Sequence, residues 1–558
     1  MSATIGIEDL PANPSGASGL DLHQSREHSL KIKRNAISGI CRFAILTIVY
    51  FLTYPYMLHH LGVDRFGMWA LALVVSQSLG TQDLGISGAL MRFIPEHWNN
   101  GGSLRIRELA STAIFLLVAI GVLLATGLIV MRGELVDLLK IPPTLQNEMS
   151  FLLVGMACAF FLNLVSSGLT AILIGIHRMY ISNITYTAAA MVQAVGVFLV
   201  LSRGYGLLGL TLNAVLTGLL WALSTWILLR RCMPGFRLQA SLIRRADAVS
   251  LLRYGSNIQA AGLGSFLTVP PIKILLSRYV SLASVSSFEL ASGMAMQLRS
   301  GFLMAAMPLI PASAHLNAEK ASTKLGFLYR QSFRYVVLVA LPVFSVAAIL
   351  APGFTQFWLR KGASFVAPTL ALLLIGWFLN TLTLPAYFMF QGQGFARYQV
   401  YVASLQAIGS AISAYILVKI FGYYGAVSGL VIGLSIAAFY LLWQYPRLCS
   451  DGRGKLFDKS ILKAIVANTI LLLPFILRPQ LREIHHLSVL ALISAIYLVL
   501  YVLLLFAFEG VSQIEGQDVA SIWPRKFLRS RRKRQEMPFP HVLKRNATFS
   551  ATKPGDEE

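Results

Sequence analysis

Charge is scarce in this chain. Asp, Glu, Lys and Arg make up 13% of its 558 residues, about half the share expected of a soluble globular domain, which argues against a molecule built of water-facing folds. Acids are scarcer than bases, with 24 Asp and Glu against 47 Lys and Arg. There are four cysteines: Cys41 and Cys158 fall in apolar stretches, Cys232 and Cys449 in or beside basic loops. None has a Cys or His at zinc-ligand spacing, so no disulfide framework, metal site or other cofactor site is expected. The adjacent pairs His59-His60 and His485-His486 read as solvated surface. No Gly-x-x-x-x-Gly-Lys-Ser/Thr phosphate loop occurs, and the longest internal basic loop, near residues 230–253, is too short for a nucleotide-binding domain.

Apolar residues are abundant: 56% of the chain is hydrophobic and the mean hydropathy is +0.65. They fall in blocks of roughly 18 to 25, the length a helix needs to cross about 30 Å of hydrocarbon. The pattern predicts an all-α membrane protein with about fourteen spans. They lie near 37–58, 68–94, 109–131, 151–174, 181–201, 207–229 and 256–276, then 287–310, 336–350, 366–390, 400–418, 426–443, 461–477 and 487–506. Most Lys and Arg fall on one side if the N-terminus is inside, which predicts both termini in the cytoplasm. The same asymmetry explains a net charge of +23 without nucleic acid. A basic run, Arg531, Arg532, Lys533 and Arg534, follows the last span, where anionic membrane lipids are the expected partner.

The chain divides into an unstructured cytoplasmic segment 1–30, a first lobe 31–230, a cytoplasmic linker 231–252 and a second lobe 253–446. Two further helices occupy 447–510, and a basic tail 511–558. The lobes come from an internal repeat. A shift of 219 residues aligns Gly175 and Arg178 with Gly394 and Arg397, Tyr205-Gly206 with Tyr424-Gly425, Ala72 with Ala291 and Arg34 with Arg253. Six helices recurring six later keep their orientation, so the two six-helix repeats are parallel. Two such lobes around a central cavity suit an alternating-access transporter. The last two helices then pack on the bundle or line a lipid-facing groove.

Several stretches resemble a known family: Lys33-Arg-Asn35, Tyr54-Pro55, Leu61-Gly-Val-Asp-Arg-Phe-Gly-Met-Trp69 and Asp83-Leu-Gly-Ile86 through Arg92, with the Gly-x-x-Arg and Tyr-Gly turns of both halves. Over about residues 31–445 the chain is similar to bacterial polysaccharide transporters. These are the O-antigen and exopolysaccharide flippases of the multidrug/oligosaccharidyl-lipid/polysaccharide exporter superfamily. The resemblance implies a two-lobed, multi-pass inner-membrane protein that flips undecaprenyl-diphosphate-linked oligosaccharide for surface polysaccharide (O-antigen, capsule or exopolysaccharide) synthesis. Polysaccharide polymerase and assembly proteins are candidate partners. A cation-coupled multidrug antiporter of the same superfamily and a non-transporting membrane scaffold are the alternatives.

A charge at bilayer depth is costly and marks a cavity or a partner. Arg42, Asp83, Lys273, Glu289 and Arg299 qualify. Arg42 and Asp83 lie at matching distances from the turn near Gly62, and Lys273 and Glu289 from the turn near Ser281, so each couple is expected to pair. Arg299 is left without an acid and suits a diphosphate, whose oxygens match a guanidinium fork. Arg299, Arg42, Asp83, Lys273 and Arg92 are therefore the candidate substrate residues, and Asp83 and Glu289 the candidate ion-coupling residues. Asn163, Gln193, Gln297 and Asn380 are candidates for sugar hydroxyls or interhelical hydrogen bonds. Trp69, Trp221, Trp226, Trp377 and Trp443 read as packing or interfacial anchors. Pro270-Pro271 should break the seventh helix. The cationic surplus favours an anionic substrate over a cationic drug, and no catalytic constellation is present.

Overall fold

The computed structural model describes residues 19–80, 83–98, 103–359, 365–449, 459–478, 480, 484 and 486–508. The basic tail 511–558, His485 and residues 1–18 lie outside the described residues. Within them the chain is helical, without a strand. Only helices and closed barrels satisfy every backbone N–H and C=O in lipid, so this is the architecture a hydropathy of this kind requires.

The first half comprises α1 (Gly19–Leu61), α2 (Val63–Gly80), α3 (Ile86–Trp98), α4 (Ser103–Val130), α5 (Arg132–Leu138), α6 (Gln146–Gly175), α7 (Met179–Ser202) and α8 (Gly206–Cys232). The second has α9 (Arg245–Phe266), α10 (Pro270–Tyr279), α11 (Leu282–Ala306), α12 (Leu309–Ala318), α13 (Ser322–Ile349), α14 (Ala351–Leu359), α15 (Val366–Leu382), α16 (Leu384–Gly392) and α17 (Ala396–Cys449). The chain continues in α18 (Lys459–Leu477) and α19 (Leu487–Ala507). Helix α1 starts inside the segment expected to be unstructured. After Gly19 neither Gly nor Pro occurs until Gly39, so nothing in the sequence stops the helix from extending back.

Ten described helical stretches are long and apolar enough to cross a membrane. The predicted second, seventh and eighth spans are not among them: the second is divided between α2 and α3 and the seventh between α9 and α10, whereas the eighth falls almost wholly in the 25-residue α11. The predicted eleventh and twelfth spans are the two arms of α17, which folds back on itself at Gly422 (φ 57°), with Ser410 Oγ donating to the Leu430 carbonyl at 3.5 Å. Pro270 and Pro271 open α10, where their missing N–H groups need no partner. Pro385 similarly falls in the first turn of α16. At the Gly-x-x-Arg turns the positive-φ residues are His177 (φ 60°) and Gly394 (φ 81°). Arg178 N bonds Leu173 O after the one, and Phe395 N bonds Phe390 O after the other. The turns thus correspond two residues out of register with the 219-residue shift, because helix closure and not residue identity sets the match.

Helices α1, α4, α6, α7 and α8 pack on one another to form the first lobe; α10, α11, α13, α15, α16 and α17 form the second. Helix α18 packs on α13 and α19, and α19 on α13 and α14. The lobes meet along several seams, of which two join α2 and α3 to the second half. At one, α2 lies along α11, and Ser286 Oγ donates to the Val63 carbonyl. At the other, α3 lies along α9, with Phe93 and Arg92 against Tyr254. The largest buried apolar cluster runs through both lobes, from Met57 and Phe66 to Phe288, Trp377 and Leu434.

The linker between the lobes is fastened to α4. Arg105 forms a fork onto Asp247, at 2.5 and 2.8 Å, and reaches Glu108 at 3.0 Å; Arg244 reaches Glu108 at 2.6 Å. Glu108 and Asp247 are buried, and two cations satisfy both carboxylates, as buried acids require.

Gly85 holds φ 70° at the α2–α3 break, and a Cβ there would overlap the Gly255 carbonyl across the second seam. Gly85→Ala is expected to lower stability by about 1–3 kcal/mol, read as a lower thermal midpoint of the purified protein. Gly133→Ala, in open space within α5, should leave the midpoint unchanged or raise it.

Candidate functional site

Of the two predicted pairs, one forms. Lys273 on α10 and Glu289 on α11 make an ion pair with side chains 8% and 12% exposed. Tyr54, from α1 of the other lobe, hydrogen bonds Glu289. This carboxylate is neutralised within its own lobe and ties that lobe to the first.

Arg42 and Asp83 do not pair. Asp83 Oδ1 accepts from Gly85 N at 2.8 Å, and its carbonyl accepts from Ile86 N at 3.0 Å, so its carboxylate caps the turn between α2 and α3. An Asp side chain readily bonds backbone two residues on, and that turn removes Asp83 from the continuous helix on which the depth argument rested. Arg42 Nη1 instead donates to Asn183 Oδ1 at 3.2 Å, and the guanidinium lies 4.1 Å from the Tyr186 ring centroid. Asn183 is fixed in turn by donating to Ser38 Oγ at 2.9 Å.

Arg299 has a similar setting in the second lobe. Its Nε donates to Asn380 Oδ1 at 2.8 Å, and its guanidinium lies 4.9 Å from the Trp377 ring centroid. Asn380 Nδ2 donates on to Gln406 Oε1 at 3.4 Å. Each lobe therefore holds one partly buried arginine with an asparagine oxygen and an aromatic face. Among the described residues neither is paired with a carboxylate, so each positive charge is oriented without being cancelled.

Arg92 lies elsewhere. It is exposed on α3, 3.7 Å from Glu96 and 4.5 Å from the Tyr254 ring centroid, at the seam with α9. Gln297 accepts from Thr47 Oγ1 at 3.4 Å. Trp226 packs on Phe236, and Trp443 lies exposed beneath Arg447.

A cavity of about 600 Å³ opens among α1, α2, α6, α7 and α8. Its walls carry Tyr50, Tyr54, Tyr186, Trp69 and Trp221, with Asn163, Gln193, Thr53, Ser76 and Thr217 as polar groups. No Asp, Glu, Lys, Arg or His is among its lining residues. Trp69 packs in the largest apolar cluster, as the sequence suggested, and also borders the cavity, whereas Trp221 is a cavity wall. Tyr186 belongs both to this wall and to the Arg42 cation–π contact, and it meets Trp221 edge to face at 5.2 Å. A cation stands just behind an uncharged aromatic chamber. A second groove of about 520 Å³ runs between α1, α11, α13, α15 and α19 and is lined mainly by apolar side chains such as Phe43, Phe51, Val346, Leu374 and Leu490.

A polytopic helical bundle of two lobes, with polar groups and cavities between its helices, is the fold of a membrane transporter. The chain belongs to the family of polysaccharide biosynthesis proteins, whose model matches residues 32–317. It is 21% identical over 436 residues to a protein of Shigella flexneri described as an O-antigen transporter, covering 75% of this chain and 99% of that one. Its fold is similar to that of a multidrug resistance MATE family transporter in an inward-facing conformation, with a TM-score of 0.66 at 16% identity over 72% of this chain and 94% of that one. It is also similar to that of the lipid II flippase MurJ in an inward closed conformation, with a TM-score of 0.65 at 12% identity over 87% and 98%.

Removing one member of the Lys273–Glu289 pair leaves a buried charge alone. Lys273→Met is expected to destabilise the protein by about 3–5 kcal/mol, and Lys273→Met/Glu289→Met to recover most of that loss. Thermal midpoints of the three proteins check this.

Proposed function

We propose that this protein flips a lipid-linked oligosaccharide, carried on undecaprenyl diphosphate, across the bacterial inner membrane for surface polysaccharide synthesis. The observation that carries this reading is the pair of acid-free arginines, Arg42 and Arg299, one in each lobe, each held by an asparagine and an aromatic ring. An anionic diphosphate meets charge-assisted donors there without displacing a carboxylate. Placing one cation in each lobe allows the diphosphate to be passed between them as the lobes rock in alternating access. The apolar groove beside α19 suits the alkyl chain, which stays in lipid while the headgroup crosses.

Cation-coupled drug export fits less well. It calls for exchangeable acids facing the substrate, whereas Asp83 is committed to a turn and Glu289 to Lys273, and no acid lines the aromatic chamber.

The test is a deletion strain complemented with variants and scored for its lipid-linked glycan pool and surface polymer. Loss of the gene should raise the cytoplasmic-leaflet pool and abolish the polymer. Arg299→Ala and Arg42→Ala are each expected to cut flipping about 10- to 100-fold, the effect of one lost charge-assisted contact, with membrane levels unchanged. Arg299→Lys should restore only part, since an ammonium lacks the planar fork. Normal polymer from stably expressed alanine variants would remove both arginines from the path. With both termini inside, a cysteine at His60 should label from outside intact cells and one at Arg237 should not; the reverse pattern would invert the proposed orientation.

A further inference from the structure

The aromatic chamber of the first lobe contains two donors that the structure leaves unused. Trp221 Nε1 and Thr217 Oγ1 are both buried without a hydrogen-bond partner. They are four residues apart on α8 and share a face, and both belong to side chains that line the chamber. On the same helix Thr211 donates to the Leu207 carbonyl at 2.8 Å, whereas Thr225 Oγ1 is also without a partner; of these hydroxyls, that of Thr217 belongs to a residue lining the chamber. A buried donor without an acceptor is costly, and two on one wall mark a place where acceptors arrive with something bound.

From this arrangement we infer that the chamber seats the sugar rings next to the diphosphate, with Trp221 and Thr217 donating to the glycan and determining its specificity. The inference rests on the flippase reading and adds a recognition site to it. A pyranose has apolar C–H faces and hydroxyl or ring oxygens at its rim; it asks for aromatic walls, neutral donors and no fixed charge. The chamber provides tyrosine and tryptophan rings, Gln193 and Asn163, and no Asp, Glu, Lys, Arg or His among its lining residues. Its volume of about 600 Å³ lies within the roughly 300–1,000 Å³ of small-molecule sites. The order of groups matches the order of the ligand. Arg42 touches Tyr186, and Tyr186 touches Trp221, as a diphosphate is followed by sugar.

The test uses the full-length protein in lipid nanodiscs with two probes: lipid-linked glycan extracted from the deletion strain, and undecaprenyl diphosphate without sugar. The wild type is expected to bind the glycosylated lipid about tenfold more tightly. Trp221→Phe keeps an aromatic ring and removes the N–H; Thr217→Val keeps the shape and removes the hydroxyl. Each should lose about three- to tenfold of that preference while its affinity for the bare lipid stays the same. An unchanged preference in both variants overturns the seat and leaves the flippase reading standing. Equal loss of both probes together with a lowered thermal midpoint assigns the two donors to packing and also overturns it. A deletion strain that accumulates no glycan lipid overturns the flippase reading itself, and the seat with it.

Discussion

An ionised group cannot be left alone at membrane depth. It pairs, caps backbone or borders a polar space, and the choice each charge makes organises the interior of this protein. Lys273 and Glu289 cancel one another, and Tyr54 adds a bond from the opposite lobe. Asp83 spends its carboxylate on the Gly85 amide. Arg42 and Arg299 are oriented by amide oxygens and aromatic faces, which leave their charge intact. Both of these acids are thus engaged by partners, whereas the two arginines have no carboxylate beside them among the described residues. An anionic ligand gains from that arrangement in a way a cationic one does not.

The backbone obeys the same rule. Irregular backbone at membrane depth is tolerated where protein or a cavity surrounds it. Helices α2 and α3, α9 and α10, and α11 and α12 are each separated by a break, and of these α2, α3, α9, α10 and α11 meet the opposite lobe. At Gly85 and Gly255 two backbones approach so closely that neither position has room for a side chain. At the other seam, Gly67 lies against the Leu282 carbonyl. Small residues let the backbones meet at these points, beside the large apolar cluster that runs through both lobes. The linker clamp of Arg105, Asp247, Glu108 and Arg244 anchors the first turn of α9 to the first lobe.

How far the sequence could be read differs from residue to residue. The Lys273–Glu289 pair was legible because both residues lie close to one short turn, and little can intervene between them. Identical reasoning failed for Arg42 and Asp83. It assumed an unbroken second span, whereas the Asp-Leu-Gly sequence at 83–85 favours a turn in which the carboxylate bonds its own backbone. The lack of an acid beside Arg299 was legible from the small number of acids; its contact with Asn380, on a helix 81 residues away, was not. Trp69 and Trp221 were suggested as packing because a tryptophan in an apolar stretch more often packs than lines a site.

By itself the sequence determined the solvent, the helical class, the parallel repeat, the break at Pro270 and the shortage of exchangeable acids. These follow from composition, local sterics and chain length, which need no knowledge of neighbours. Only the tertiary structure decided which aromatic residues face the chamber, which arginines keep their charge free and where the lobes touch. In a span that is apolar on nearly every side, the hydrophobic pattern carries little information about direction. The inward face of such a helix is chosen by packing against the others.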